Sequence, residues 1–197
     1  MKKYLFVSLF AVIFAPTVNA VGLLNYKPPG GSTATQMHST GGTRGLAAAA
    51  NVQILAPKEI ALTTKAQPIL YWYQPSQLKL ASVEVALTKS GEAEPVLKKS
   101  LPATAGLQHF SLSDYDVTLE AGIEYVWAIS LIDNDGKETK KLSVNLRYQE
   151  ATEPLTTIEE QAQAGYWYDV LQTLIDSKSP QTNELLKQVG ILVPALF

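Results

Sequence analysis

Cysteine is absent from the 197 residues. Its absence excludes a disulfide framework, a thiolate zinc site, a cysteine nucleophile and an acylated lipoprotein anchor. Histidine occurs twice, as His38 and His109, too sparsely for a histidine relay or a histidine-built metal site. Charge is scarce and balanced, with 16 Lys plus Arg against 18 Asp plus Glu. No basic excess is left to neutralise a phosphate backbone, so nucleic acid is not an expected partner. No apolar run reaches the roughly 20 residues that a membrane-crossing helix needs.

The apolar run that is present lies at the start. Residues 4–15 follow Lys2 and Lys3, are closed by Pro16, and lead to the small-residue ending Val18-Asn19-Ala20. This reads as a signal peptide over residues 1–20, cleaved after Ala20. The reading predicts a periplasmic or secreted protein that is mildly acidic and has no transmembrane segment once the signal is removed.

Residues 21–51 are rich in Gly, Pro, Ser, Thr and Ala and follow neither a period of 2 nor one of 3.6. A flexible arm is expected there, because such a segment buries too little apolar surface to offset its ordering. Within it, Gly41-Gly42-Thr43-Arg44-Gly45 lacks the Gly-Lys-Ser/Thr ending and the preceding strand of a phosphate-binding loop.

Over residues 52–149 the pattern changes to short alternating segments punctuated by Pro, Gly and Asp. Val83, Val85 and Leu87 alternate with Ser82, Glu84, Ala86 and Thr88, as do Leu142, Val144, Leu146 and Tyr148 with their neighbours. Strands with one wet face read this way. Ile123, Tyr125, Trp127, Ile129 and Leu131 share one face of a longer strand whose other face is semi-apolar, which places it centrally. Leu119, Gly122 and Tyr125 have the spacing of a tyrosine corner, and Trp72 supplies a core aromatic on an early strand. Asp133-Asn134-Asp135-Gly136 lacks the acids that complete a calcium loop and reads as a hairpin turn. Together these features predict a mainly β protein, an immunoglobulin/fibronectin-III-like antiparallel β-sandwich.

Residues 150–197 carry helical periodicity. Thr157 and Glu160 make a capping box, and Trp167, Val170, Leu171, Leu174 and Ile175 fall on one stripe, predicting one helix over 158–176. Ser179-Pro180 opens a second, shorter helix that Gly190 ends. A C-terminal α-helical hairpin packed on the sandwich is the expectation.

Five phrases, in this order, carry a family resemblance: Gly41-Gly42-Thr43-Arg44-Gly45, Leu70-Tyr71-Trp72-Tyr73, Tyr125-Val126-Trp127, Ala164-Gly165-Tyr166-Trp167-Tyr168-Asp169-Val170-Leu171 and Leu185-Leu186-Lys187-Gln188-Val189-Gly190. Over nearly all of the mature chain the sequence resembles the bacterial domain-of-unknown-function family 928. The fourth phrase has Gly-Tyr-Trp-Tyr-Asp-Val-Leu where that family more often has Gly-Ile-Trp-Tyr-Asp-Ala-Leu, which keeps its apolar and acidic character. The resemblance implies an exported protein and supplies no reaction, cofactor or catalytic residue.

The candidate binding residues are Arg44, Tyr71, Tyr73, Trp167, Tyr168 and Asp169. Consecutive helical residues point about 100° apart, so Trp167, Tyr168 and Asp169 are not expected to face one core. Trp167 belongs to the apolar stripe, whereas Tyr168 and Asp169 lie nearer its edge. There Asp169 either accepts a charge-assisted bond from Arg44, pinning the arm, or is solvated alone. Tyr71 and Tyr73, opposite Trp72, either meet the helical hairpin or form an exposed aromatic strip for a peptide or glycan. His38 and His109 read as bystanders, and no catalytic residue, metal or cofactor is expected. The leading functional expectation is an exported, non-enzymatic interaction or envelope-associated module with a protein or cell-envelope partner. The alternatives are a carboxylate-dependent envelope hydrolase, using two among Asp114, Asp116, Glu120 and Asp169, and a structural homo-oligomer of the envelope.

Overall fold

The computed structural model of the chain describes residues 24–29, 51–76, 78 and 80–197. The expected signal peptide, His38 and the loop containing Arg44 lie outside the described residues. In chain order the strands are β1 (Gln53–Ile54), β2 (Ala61–Thr63), β3 (Ile69–Gln74), β4 (Ser82–Lys89), β5 (Leu97–Pro102), β6 (Gly106–Ser111), β7 (Glu124–Ile132) and β8 (Glu138–Tyr148). They form one sheet in the order β1-β3-β6 and a second in the order β2-β8-β7-β4-β5. All pairings are antiparallel except that β2 runs parallel to β8. The protein is therefore mainly β, with an immunoglobulin/fibronectin-III-like sandwich followed by helices.

Period-2 patterning decides which side of each strand is dry. In β4, Val83, Val85 and Leu87 are buried while Ser82, Glu84, Ala86 and Thr88 are not. β7 lies at the centre of the larger sheet, with Tyr125, Trp127, Ile129 and Leu131 buried. Ile123, expected on the same face, is 40% exposed. It precedes the strand, just after Gly122 turns the chain at φ +77° and donates its N–H to Tyr148 O. The tyrosine corner forms: the Glu120 N–H donates to the Tyr125 hydroxyl at 3.2 Å. The Asp133 carboxylate closes the β7–β8 hairpin by accepting from the N–H groups of Asp135 and Lys137. Trp72 from the smaller sheet and Trp127 from the larger one both lie in the core.

Three helices follow instead of the expected two: α1 (Ile158–Gln163), α2 (Trp167–Asp176) and α3 (Gln181–Gln188). The capping box starts α1, with Thr157 Oγ1 accepting from the Glu160 N–H and the Glu160 carboxylate accepting from the Thr157 N–H. The apolar stripe does continue to Asp176, but Gly165 at φ +85° interrupts it. Tyr166 N–H bonds Gln161 O and Gly165 N–H bonds Ala162 O, a Schellman ending that satisfies the last carbonyls of α1. Gly190 ends α3 in the same way, through Ile191 N–H to Leu186 O and Gly190 N–H to Lys187 O.

The helices pack where the sandwich is open on its β1–β2 side. α2 lies against β2 and β3, and the Leu62 N–H of β2 donates to Gly165 O at 3.2 Å. Beyond α3, Ile191 is buried, and Gln53 of β1 brackets Leu192, donating to its carbonyl and accepting from its N–H. Residues 24–29 depart from the expectation of a mobile arm. Leu24, Tyr26 and Pro28 are buried, and the segment is fastened to the helices.

Candidate functional site

The first turn of α2 gathers three of the candidate residues. Successive side chains there diverge by about 100°, yet Trp167, Tyr168 and Asp169 are 0%, 2% and 3% exposed. The expectation that Tyr168 and Asp169 lie near a wet edge is corrected: other elements cover the helix on all three sides. Trp167 donates its indole N–H to Leu55 O at 2.8 Å and meets the Tyr26 ring edge-on at 4.8 Å. Tyr168 enters the sandwich, where its hydroxyl accepts the Trp127 indole N–H at 2.9 Å. Burial pushes the Tyr168 phenol well above its ordinary value, while the Trp127 bond pulls the other way.

Asp169 accepts the Thr64 N–H at 2.7 Å and the Thr63 hydroxyl at 3.4 Å, tying α2 to the end of β2. Burial raises its carboxyl above the ordinary range, opposed by the Thr64 bond and the charge of Lys65. Both oxygens are thus engaged by the β2 end; Arg44 lies outside the described residues. An acid raised by folding contributes stability that is fully present below its ordinary 3.8 and is lost as pH rises through the higher folded value. Asp169→Asn keeps an oxygen for Thr64 and offers its amide to the Thr63 hydroxyl. We expect this variant to lose less melting temperature than the wild type between about pH 4 and about pH 7. Circular dichroism melts across that range would show it, and parallel pH profiles would refute it.

Tyr71 and Tyr73 do not make an exposed strip. Tyr71 is buried in the core cluster and Tyr73 is half-buried against it. The Tyr71 phenol is pushed up to about 12, by burial first and then by the charge of Asp176 at the end of α2. Of the acids considered for hydrolysis, Asp114, Asp116 and Glu120 are exposed along the β6–β7 connection, Glu120 paired with Lys89 at 2.7 Å, and Asp169 is the buried tie just described. Among the described residues no three His, Asp or Glu side chains cluster to hold a metal ion, and no helix is long and apolar enough to cross a membrane.

The sheet edges provide a different kind of site. Exposed edges present unpaired backbone groups and are ordinarily blunted. Gln53 and the tail at Leu192 cover β1, while α2 and the Gly165 carbonyl cover β2. β5 carries exposed Lys98 and Lys99 and ends at Pro102. β6 has neither lysine nor proline and, among the described residues, pairs with β3 alone. Register shows which of its groups face away from β3. Leu112 N–H bonds Pro68 O just beyond the strand, and Leu55 N–H bonds Tyr71 O on the other side of β3. Even-numbered residues of β6 therefore pair inward, and Leu107, His109 and Ser111 aim their N–H groups away from the sheet. Sequence reading passed over this site and set His109 aside, because an edge strand differs from an interior one only by what its neighbours do; the lack of Lys and Pro was the available clue.

The family model for Domain of Unknown Function (DUF928) matches residues 39–193. The chain belongs to that family. The DUF928 match takes in both sheets and all three helices, and residues 24–29 precede it. Among solved structures, similarity is found to the fibronectin(III)-like modules of CbhA from Clostridium thermocellum, at 13% identity over 50% of this chain and 95% of that one, with a TM-score of 0.33. The fn3 domain of human collagen alpha-1(XX) chain is similar at 12% identity over 60% of this chain and 96% of that one, with a TM-score of 0.34. A variant of the superoxide reductase (neelaredoxin) from Ignicoccus hospitalis is similar at 13% identity over 51% of this chain and 83% of that one, with a TM-score of 0.31. No curated protein matches the chain in sequence.

Proposed function

We propose that this DUF928 protein is an exported, non-enzymatic interaction module of the cell envelope that binds a protein partner by strand addition to β6. The observation that carries the reading is the contrast among the four sheet edges: three are covered or guarded by charge, and among the described residues the regular six-residue strand β6 has no lysine, proline or further strand on its outer side. An added strand gains main-chain bonds from the outward N–H groups of Leu107, His109 and Ser111, and its alternate side chains supply selectivity. The n-region, the apolar run and the small residues before Val21 support export to the periplasm or beyond.

His109→Pro tests this. Position 109 faces outward, so proline removes an edge donor without removing a bond to β3, and the stability cost is expected to stay below about 1 kcal/mol. Wild-type protein recovered from the envelope or medium fraction is expected to begin at Val21 and to retain a protein partner on affinity capture. The His109→Pro variant is expected to lose that partner. Retention of the same partner by both forms would remove β6 from the interface, and an intact Met1 on the recovered protein would remove export with cleavage.

A further inference from the structure

Residues 24–29 sit on the helices as an extended peptide sits in a groove. Leu24, Tyr26 and Pro28 point in, and Asn25 and Lys27 point out. The backbone is read on both sides. Gln188 accepts the Tyr26 N–H at 2.8 Å and donates to Leu24 O. Gln163 donates to Asn25 O at 2.8 Å, and the Lys27 N–H donates to Ala162 O at 3.0 Å. The Tyr26 ring packs on Trp167 and its hydroxyl reaches Gly165 O at 3.5 Å. At Gly165 the approach is closest: a Cβ there would stand 3.0 Å from Pro29 Cγ and 3.2 Å from Lys27 O.

Main-chain bonds combined with pockets for alternate side chains are how extended peptides are recognised. The backbone of the groove and its Trp167 wall are held by bonds that do not involve the segment. Gln163 and Gln188 end α1 and α3, Gly165 is fixed by its own Schellman bonds, and Trp167 is anchored on Leu55. All the hydrogen bonds of residues 24–29 described above reach residues 162–188, and residues 30–50 separate the segment in sequence from the sandwich.

We propose that the groove at the C-terminal ends of α1 and α3 is a peptide-binding site whose tethered occupant is residues 24–29, and that it accepts from another polypeptide an extended segment with an apolar residue, an aromatic residue and a proline at alternate positions. None of its residues belongs to β6, so the site stands or falls apart from strand addition there.

The test uses the full mature chain with a protease recognition sequence placed between residues 30 and 50. After cleavage the occupant is held by non-covalent contacts alone. A fluorescent synthetic peptide of residues 22–30 is then titrated against cut and uncut chains and followed by anisotropy. We expect saturable binding to the cut chain, at least about tenfold weaker binding to the uncut chain because a tether supplies an effective concentration of the order of millimolar, and a similar loss for a peptide carrying Leu24→Ser and Tyr26→Ser. Three results would each overturn the proposal: no saturable binding to the cut chain, equal binding of the double-serine peptide, or loss of the folded circular dichroism signal on cleavage, which would make the segment part of the core. Light scattering that showed the uncut chain as a segment-exchanged dimer would also overturn it, by making a second copy the occupant.

Discussion

Trp167→Ala is expected to cost the fold about 3–5 kcal/mol, the usual range for emptying a fully buried tryptophan site. The indole is solvent-free, donates to Leu55 O at 2.8 Å and supports the Tyr26 ring. Its removal leaves a cavity between helix and sandwich and a buried carbonyl without its donor. Typical domains hold only about 5–15 kcal/mol in all, so urea unfolding should shift strongly toward lower denaturant. Trp167→Phe separates the two contributions, keeping most of the ring volume while leaving Leu55 O unbonded, at about 1–3 kcal/mol. A Trp167→Ala curve within about 1 kcal/mol of wild type would show that the helices do not share in the cooperative core.

Gly165→Ala should be nearly as damaging, for a different reason. At φ +85° an L side chain is strained, by about 1–2 kcal/mol. The new methyl also meets Pro29 Cγ at 3.0 Å, Pro29 Cδ at 3.1 Å and Lys27 O at 3.2 Å. Overpacking of this kind costs about 1–3 kcal/mol unless the neighbour moves, and the neighbour here is the short segment 24–29. The variant is therefore expected both to melt earlier and to lose amide-exchange protection at Tyr26 and Lys27. Protection unchanged at those two amides would mean that the segment does not rest on Gly165.

The sandwich was legible in the sequence because a half-buried strand writes its wet and dry faces into alternate residues. β4 and β8 show this plainly, and the tyrosine corner and the Asp133 turn each depend on a few neighbouring positions. What stayed hidden depends on partners distant in the chain. Reasoning from an amphipathic helix assumes one wet face, so it placed Tyr168 and Asp169 near water; the ends of β2 and the interior of the larger sheet cover them instead. The break in the long helix was visible at Gly165, yet an unbroken apolar stripe on both sides of it argued for continuity. Leu24, Tyr26 and Pro28 do alternate, but over too few residues to stand out within a Gly- and Pro-rich stretch. The groove that receives them is assembled from glutamines at two helix ends, and amides there look in sequence like any solvated polar side chain.

The parallel pairing of β2 with β8 has a mechanical consequence. Ala61 lies beside Leu146, Leu62 beside Arg147 and Thr63 beside Tyr148. Tension entering at the start of β2 and leaving at the end of β8 runs along both strands, so their cross-links are loaded all together in shear. A hairpin pulled from its open end, in contrast, unzips one link at a time. A chain stretched between residue 61 and residue 148 would load this short pair in shear.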